Sequence, residues 1–335
     1  MKSKKLKTPS ILGADHKPPP HSIVEAAMVS FGGRNQYVLV RGSNIETNPL
    51  LVMLHGGPGI SETAWWRYHN SKVLEENFTV VYWDQRGCGH SYDSTIRREE
   101  MTVKQFLSDL DELVEYARDR CNRKESKVVI FGHSWGLVLG PLYCRDHPEK
   151  VLLYVGCAQL GDWAKSEQLT YEYALSEAKR INNHNIVRNL ERAGPPPHNA
   201  DGCLTQRTSL ATLDGDTSTW KVLQMVWLFI SVPEYSLRNL FRFFKELDLS
   251  IDASWAEVTG INLVKDVPKL EMSAIFLLGR NDHIVPSECS KEFIDTLDAP
   301  SKEVIWFEES KHLPFVDEAG KFNRIMKEVS KRKCL

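Results

Sequence analysis

Short runs of consecutive apolar residues recur along the chain at 37–40, 50–54, 79–83, 128–131, 152–155, 274–278 and 304–307. Several are continuous rather than alternating, the pattern of strands buried on both faces of a parallel sheet. Between them Val103, Phe106, Leu107, Leu110, Val114 and Ala117 recur at helical spacing and predict an amphipathic helix over 103–121. A second helix is predicted over 289–297, ahead of Asp298-Ala299-Pro300. Alternating strands and helices of this kind predict an open α/β fold, its sheet mostly parallel and flanked by helices.

The alternation stops near Gly161 and resumes near Leu270. The intervening stretch reads as helical and aromatic, with Trp163, Tyr171, Trp220, Trp227, Phe241 and Trp255, and is broken by the loop Ala193-Gly194-Pro195-Pro196-Pro197-His198. Because a buried strand pattern returns after it, residues 161–267 are predicted to be a helical cap. That cap is inserted into a core of 26–160 and 268–335, rather than being a second sequential domain. Residues 1–25, rich in Lys and Pro, are expected to be a flexible arm.

Composition narrows the function classes. With 42 basic against 44 acidic side chains, the net charge of −2 offers no electrostatic basis for binding nucleic acid or an anionic membrane. No run approaches the ~20 apolar residues of a membrane span, and no apolar segment follows the basic start. An unexported, cytoplasmic protein is expected. Seven dispersed cysteines without a Cys-x-x-Cys pair predict reduced thiols, with neither disulfides nor a metal site.

The chemistry concentrates in glycine-rich turns. Gly132-His133-Ser134-Trp135-Gly136 follows the run 128–131, where a sharp strand-to-helix turn needs glycine on either side and lifts the Ser134 hydroxyl above the sheet edge. His55-Gly56-Gly57-Pro58-Gly59 follows 50–54 and can bring backbone close to a substrate carbonyl. One N–H there and one on Trp135 would hold a developing oxyanion. Gly57 is the expected loop donor and Gly56 the alternative, since Pro58 has no N–H. A phosphate loop is disfavoured, because no Gly-Lys-Ser/Thr follows. A serine needs a base, itself oriented by a carboxylate. Asp282 and His312 lie in loops leaving 274–278 and 304–307, at the same sheet edge as Ser134 and in the order expected after such an elbow. His283 is a rival base, but its neighbour Asp282 leaves it poorly placed to reach Ser134.

Together with Asp84-Gln85-Arg86-Gly87-Cys88-Gly89, these motifs resemble the proline iminopeptidase branch of the α/β-hydrolase family. The resemblance covers the core and is weaker over 161–267. It implies a triad of Ser134, Asp282 and His312, an oxyanion hole at Gly57 and Trp135, no cofactor, and a pocket under the cap. Iminopeptidases hold the substrate's free amino end with acidic cap residues, often in a Trp-Glu pair. Here the comparable pair is Trp220-Lys221, which leaves Glu172, Glu191 and Glu234 as substitutes. The elbow carries His133 where that branch usually has Gly. Both departures favour a small-to-medium apolar ester or lactone, cleaved through an acyl-enzyme, over a short peptide releasing its amino-terminal residue. Trp163, Trp220 and Trp227 are candidate pocket residues. Arg86 is expected to pair with a carboxylate, and Leu240, Phe241, Phe243 and Phe244 to serve as cap core or a dimer contact. A receptor that binds a small ligand without turnover is the reading from a different class; the complete set of competent residues argues against it.

Overall fold

A computed structural model describes residues 4–332. Among them nine strands form one sheet: β1 (Lys4–Leu6), β2 (Ile23–Phe31), β3 (Arg34–Gly42), β4 (Leu50–Leu54), β5 (Thr79–Asp84), β6 (Val128–His133), β7 (Val151–Cys157), β8 (Ala274–Gly279) and β9 (Lys302–Phe307). The order is β1-β2-β3-β5-β4-β6-β7-β8-β9, antiparallel from β1 through β5 and parallel from β5 to β9. This is the mostly parallel, helix-flanked sheet that the apolar runs predict.

Alternate residues of the central strands feed two separate cores. Leu50, Val52 and Leu54 of β4 join Val128 and Ile130 of β6 on one face, under the helices Val103–Arg120 and Gly136–Asp146. Leu51, Met53, Val129 and Phe131 face the other way, against Phe322 and Met326 of the helix Ala319–Val329. Strands covered on both sides have no polar positions to spare, which is why their sequence reads as unbroken apolar runs.

The amino-terminal segment departs from the expected loose arm. β1 pairs with β2, and Thr8 and Pro9 dock on a buried ionic cluster, where Arg41 Nη1 donates to Thr8 Oγ1 at 2.7 Å and to the Pro9 carbonyl at 2.6 Å. Arg41 also meets Glu75, and Arg67 bridges Glu75 and Glu234. These polar anchors replace the apolar pattern by which a strand is usually recognised. The described cysteines are free and buried, and Cys334 lies outside the described residues. No helix of the described residues is long and apolar enough to cross a membrane.

Between β7 and β8 run the helices Trp163–Arg180, His184–Ala193, Ala200–Leu213, Thr219–Ser231 and Leu237–Val258. Tyr171, Ala174, Ala178, Ile186 and Leu190 pack together within this segment, and Leu228, Phe229, Val232, Tyr235 and Leu240 pack against Ala64 of the core. Phe241 is exposed, and the side chains of Phe243 and Phe244 lie outside those described. The helix Leu237–Val258 lies directly on the loop after β5. Glu246 Oε2 accepts the Gly89 N–H at 2.9 Å, and Arg242 Nη2 donates to the Gly89 carbonyl at 2.7 Å.

Burial, reinforced by Asp84, pushes the Glu246 carboxyl from its ordinary 4.5 up to about 7 against the opposing Gly89 N–H and Arg242. The folded chain therefore binds this proton more tightly than the unfolded one. Glu246 favours folding most below about 4.5, and that contribution is lost as the pH rises through about 7. Glu246→Gln is expected to leave Tm unchanged near pH 4.5 and raise it by about 2–6 °C at pH 8. Calorimetry across that range checks it; a pH slope identical to that of the parent would contradict the assignment.

Candidate active site

The elbow is set by steric necessity. Ser134 sits at φ +50°, between β6 and the helix Gly136–Asp146. A Cβ at Gly132 would lie 2.5 Å from the Gly136 carbonyl oxygen, and one at Gly136 would lie 2.2 Å from that of Leu54. Only glycine at both places lets the helix start this close to β4 and β6. The Trp135 indole turns down into the core, where Nε1 donates to Gln85 Oε1 at 2.9 Å. Its backbone N–H, at the start of the helix, belongs to the first-turn amides that have no intrahelical acceptor.

The loop after β4 runs alongside. A Cβ on Gly56 would come within 3.1 Å of Ser134 Cβ, and Gly57, at φ +117°, lies on the cavity wall. His55 is buried and accepts the Gln85 N–H at Nε2, 3.0 Å, so its Nδ1 donates to the Gly56 carbonyl at 2.8 Å. Burial holds this imidazole's pKa below the usual range. Arg86 makes a bidentate pair with Asp109 at 2.8 and 2.9 Å. The Asp84–Gly89 motif thus acts as scaffolding for the glycine loop.

Asp282 and His312 come together from the loops after β8 and β9. His312 Nδ1 lies 2.8 Å from Asp282 Oδ2, while Asp282 Oδ1 accepts the N–H groups of Ile284 and Val285, each at 2.9 Å. Burial would raise the Asp282 pKa, but His312 and these two amides outweigh it and hold it below the ordinary carboxylate value. A Cβ on Gly279 would fall 1.9 Å from the Lys311 carbonyl oxygen, so glycine there lets the His312 loop cross the end of β8. Ser134, Asp282, His312 and Gly57 all border one cavity of about 1420 Å³. Among the described residues no hydrogen bond joins Ser134 Oγ to His312; such contacts commonly tighten only around substrate. His283 stacks on Tyr173 at 3.6 Å, its ring engaged with the inserted segment.

The three tryptophans singled out from the sequence reach the cavity in different ways. Trp163 is buried and meets Trp255 edge-on, whereas Trp220 and Trp227 line the cavity while remaining 69% and 61% exposed. Glu172, Glu191 and Glu234 do not border it: Glu172 accepts from Gln168, Glu191 pairs with Lys179, and Glu234 meets Arg67 and Thr8. The carboxylates that do border it from the inserted segment stand close to cations. Glu167 is paired with Arg207, Asp214 lies 3.5 Å from Lys311, and Asp216 lies 3.9 Å from Lys221.

Two wall residues escaped the sequence reading. Glu62 is buried directly behind the glycine loop and meets His133. Arg207 is drawn in by Glu167, which lies forty positions away along the chain. Glu62 stands at the N-cap of the helix Thr63–His69 but makes no side-chain cap bond there, and its Oε1 meets His133 instead. Among the described residues no group of three or more His, Cys, Asp or Glu side chains is arranged to hold a metal ion.

The α/β-hydrolase fold family model matches residues 49–319. The probable aminopeptidase YbaC of Bacillus subtilis (strain 168) is 30% identical over 308 residues, 91% of this chain and 96% of that protein. A proline iminopeptidase of Lactobacillus helveticus is 29% identical over 155 residues, 45% of this chain and 50% of that one. The crystal structure of a Mycobacterium smegmatis proline iminopeptidase superposes with a TM-score of 0.61 at 17% identity, covering 91% of this chain and 97% of the other. The chain is a hydrolase belonging to the α/β-hydrolase family, in its proline iminopeptidase-like branch.

Proposed function

We propose that the chain is a cofactor-free serine hydrolase that cleaves an apolar carboxylic ester or lactone through an acyl-enzyme, with the inserted helices as its cap. Ser134 attacks the carbonyl, His312 Nε2 takes its proton and delivers it to the leaving group, and Asp282 fixes the imidazole tautomer. The Gly57 and Trp135 N–H groups hold the oxyanion. Water then enters and His312 serves in the same way to release the acid. The observation carrying this reading is the convergence of Ser134 and the bonded His312–Asp282 pair on one cavity. That cavity is walled by Trp65, Trp163, Leu160, Met225 and Trp255. An apolar wall suits an apolar acyl group and excludes water from the acyl-enzyme.

The wall also bears on the choice of substrate. Among the described residues, the cap carboxylates on the cavity, Glu167, Asp214 and Asp216, each have a cation close by, which disfavours their receiving a substrate ammonium. Release of an amino-terminal residue from a short peptide is the second reading, favoured by the names of the relatives. Initial rates on p-nitrophenyl esters of graded acyl length and on aminoacyl p-nitroanilides, proline included, separate the two. Ester cleavage without anilide cleavage supports the first reading, and preference for an anilide supports the second. Phosphonylation of Ser134 with tight binding of one ligand and no turnover would revive the receptor.

A further inference from the structure

We propose that Glu62 and His133 are a positioning pair that fixes the backbone of His312, and through it the imidazole serving Ser134. This rests on the reading of Ser134, His312 and Asp282 as the reacting groups. Glu62 is 5% exposed and His133 1%. Glu62 Oε1 lies 2.7 Å from His133 Nδ1, and His133 Nε2 lies 2.8 Å from the carbonyl oxygen of His312. A carbonyl oxygen only accepts, so Nε2 carries a hydrogen and donates it. With that nitrogen committed, Nδ1 either donates to a carboxylate or accepts from a carboxylic acid. In both states one proton lies between Glu62 and His133, and the bond persists. Burial opposes a charged imidazole here, but Glu62 outweighs it and shifts His133 towards its protonated form.

The geometry explains why two anchors are needed. Asp282 holds the His312 ring at Nδ1, and the bond from His133 Nε2 holds its main chain at the carbonyl oxygen. Fixing the main chain at His312 fixes where its Cβ stands, and together with the Nδ1 bond this limits where Nε2 can lie. The His133 and His312 rings lie 4.8 Å apart, centre to centre, and Phe315 meets His133 edge-on at 5.0 Å. Glu62 also reaches the oxyanion loop, since a Cβ on Gly56 would fall 2.7 Å from Glu62 Oε1 and 3.1 Å from Ser134 Cβ. One buried chain of hydrogen bonds thus links the helix after the glycine loop, the elbow and the loop after β9. These are the segments carrying the oxyanion donor, the nucleophile and the base.

Glu62→Ala and His133→Ala are each expected to lower kcat about 10–100-fold on the best chromogenic substrate, with KM changing by less than about threefold. Both act through one chain, so the double variant should be no slower than the slower single variant. Glu62→Gln should stay within about fivefold of wild type, because its amide can donate to Nδ1 while Nε2 keeps its hydrogen. The rate at which a fluorophosphonate labels Ser134 should fall in parallel, a readout free of turnover and substrate choice. Circular dichroism separates loss of fold from loss of positioning. Additive losses across the pair would overturn the proposal, as would a Glu62→Gln variant as slow as Glu62→Ala. A rise in KM at constant kcat would also overturn it, placing Glu62 against the substrate instead. Equal labelling of wild type and both alanine variants removes this proposal alone, whereas a wild type that is not labelled removes the underlying reading with it.

Discussion

Replacing Ser134 by alanine is expected to lower kcat by about 10⁴–10⁶-fold and to abolish labelling by a fluorophosphonate. On the proposed mechanism the size follows from the loss of the covalent route: the proposed oxyanion donors and the cavity remain, but water must attack without activation. The fold should survive. Ser134 Oγ has no hydrogen-bond partner among the described residues, and what holds the turn is backbone, with the Leu137 N–H donating to the Ser134 carbonyl at 2.9 Å. Alanine at φ +50° is strained much as serine is, so the melting temperature should move by only a few degrees. Retained stability with lost activity, measured by calorimetry beside initial rates, is the signature of a reacting group.

Asp282→Asn should be nearly as damaging, at about 10⁴-fold in kcat, for a reason visible in the hydrogen bonds. Asp282 Oδ1 is committed to the Ile284 and Val285 amides, and an asparagine oxygen keeps that role. The new amide nitrogen then faces His312 Nδ1, where the carboxylate Oδ2 stood. A donor at that place turns Nδ1 into the acceptor and leaves the hydrogen on Nε2, so the imidazole can no longer take a proton from Ser134. The imidazolium that forms during the reaction also loses its countercharge. Steady-state rates with an unchanged circular dichroism spectrum would bear this out. A variant within tenfold of wild type would remove Asp282 from the mechanism.

What could be read from the sequence follows from how local each constraint is. β4 and β6 carry continuous apolar runs because both faces of each strand are covered, and the glycines of the elbow are demanded by contacts only four or five residues away or on the next strand. Ser134, Asp282 and His312 each sit in a loop at the end of an apolar run, so strand ends and residue types were enough to nominate them. β1 and β2 escaped notice because they lie at the antiparallel edge. There the arm is tethered by Thr8 and Pro9 on Arg41 rather than by an apolar stripe.

The cavity wall was less legible. Glu234 looked available as a cap acid but is spent on Arg67 and Thr8, outside the cavity. Glu167 and Arg207 find each other only once two helices pack together. The pairing of Glu62 with His133 joins the N-cap of one helix to the elbow before another, and no spacing rule foretells it. Trp220 and Trp227 stand out in the sequence as aromatic candidates, but their place on the cavity wall, largely exposed, depends on where the helix Thr219–Ser231 packs through Leu228 and Phe229. Chemistry fixed by local backbone is written in the motif, whereas specificity built from long-range side-chain pairs emerges only on folding.

Trapping the acyl-enzyme distinguishes attack by Ser134 from direct attack by water. The protein would be acid-quenched during turnover of a p-nitrophenyl ester, its intact mass recorded, and the modified peptide sequenced by mass spectrometry. A mass increase of one acyl group, located on Ser134, is expected to appear with the first burst of p-nitrophenol and to be absent from Ser134→Ala. Steady release of p-nitrophenol with no burst and no adduct, or an adduct on another residue, would contradict it.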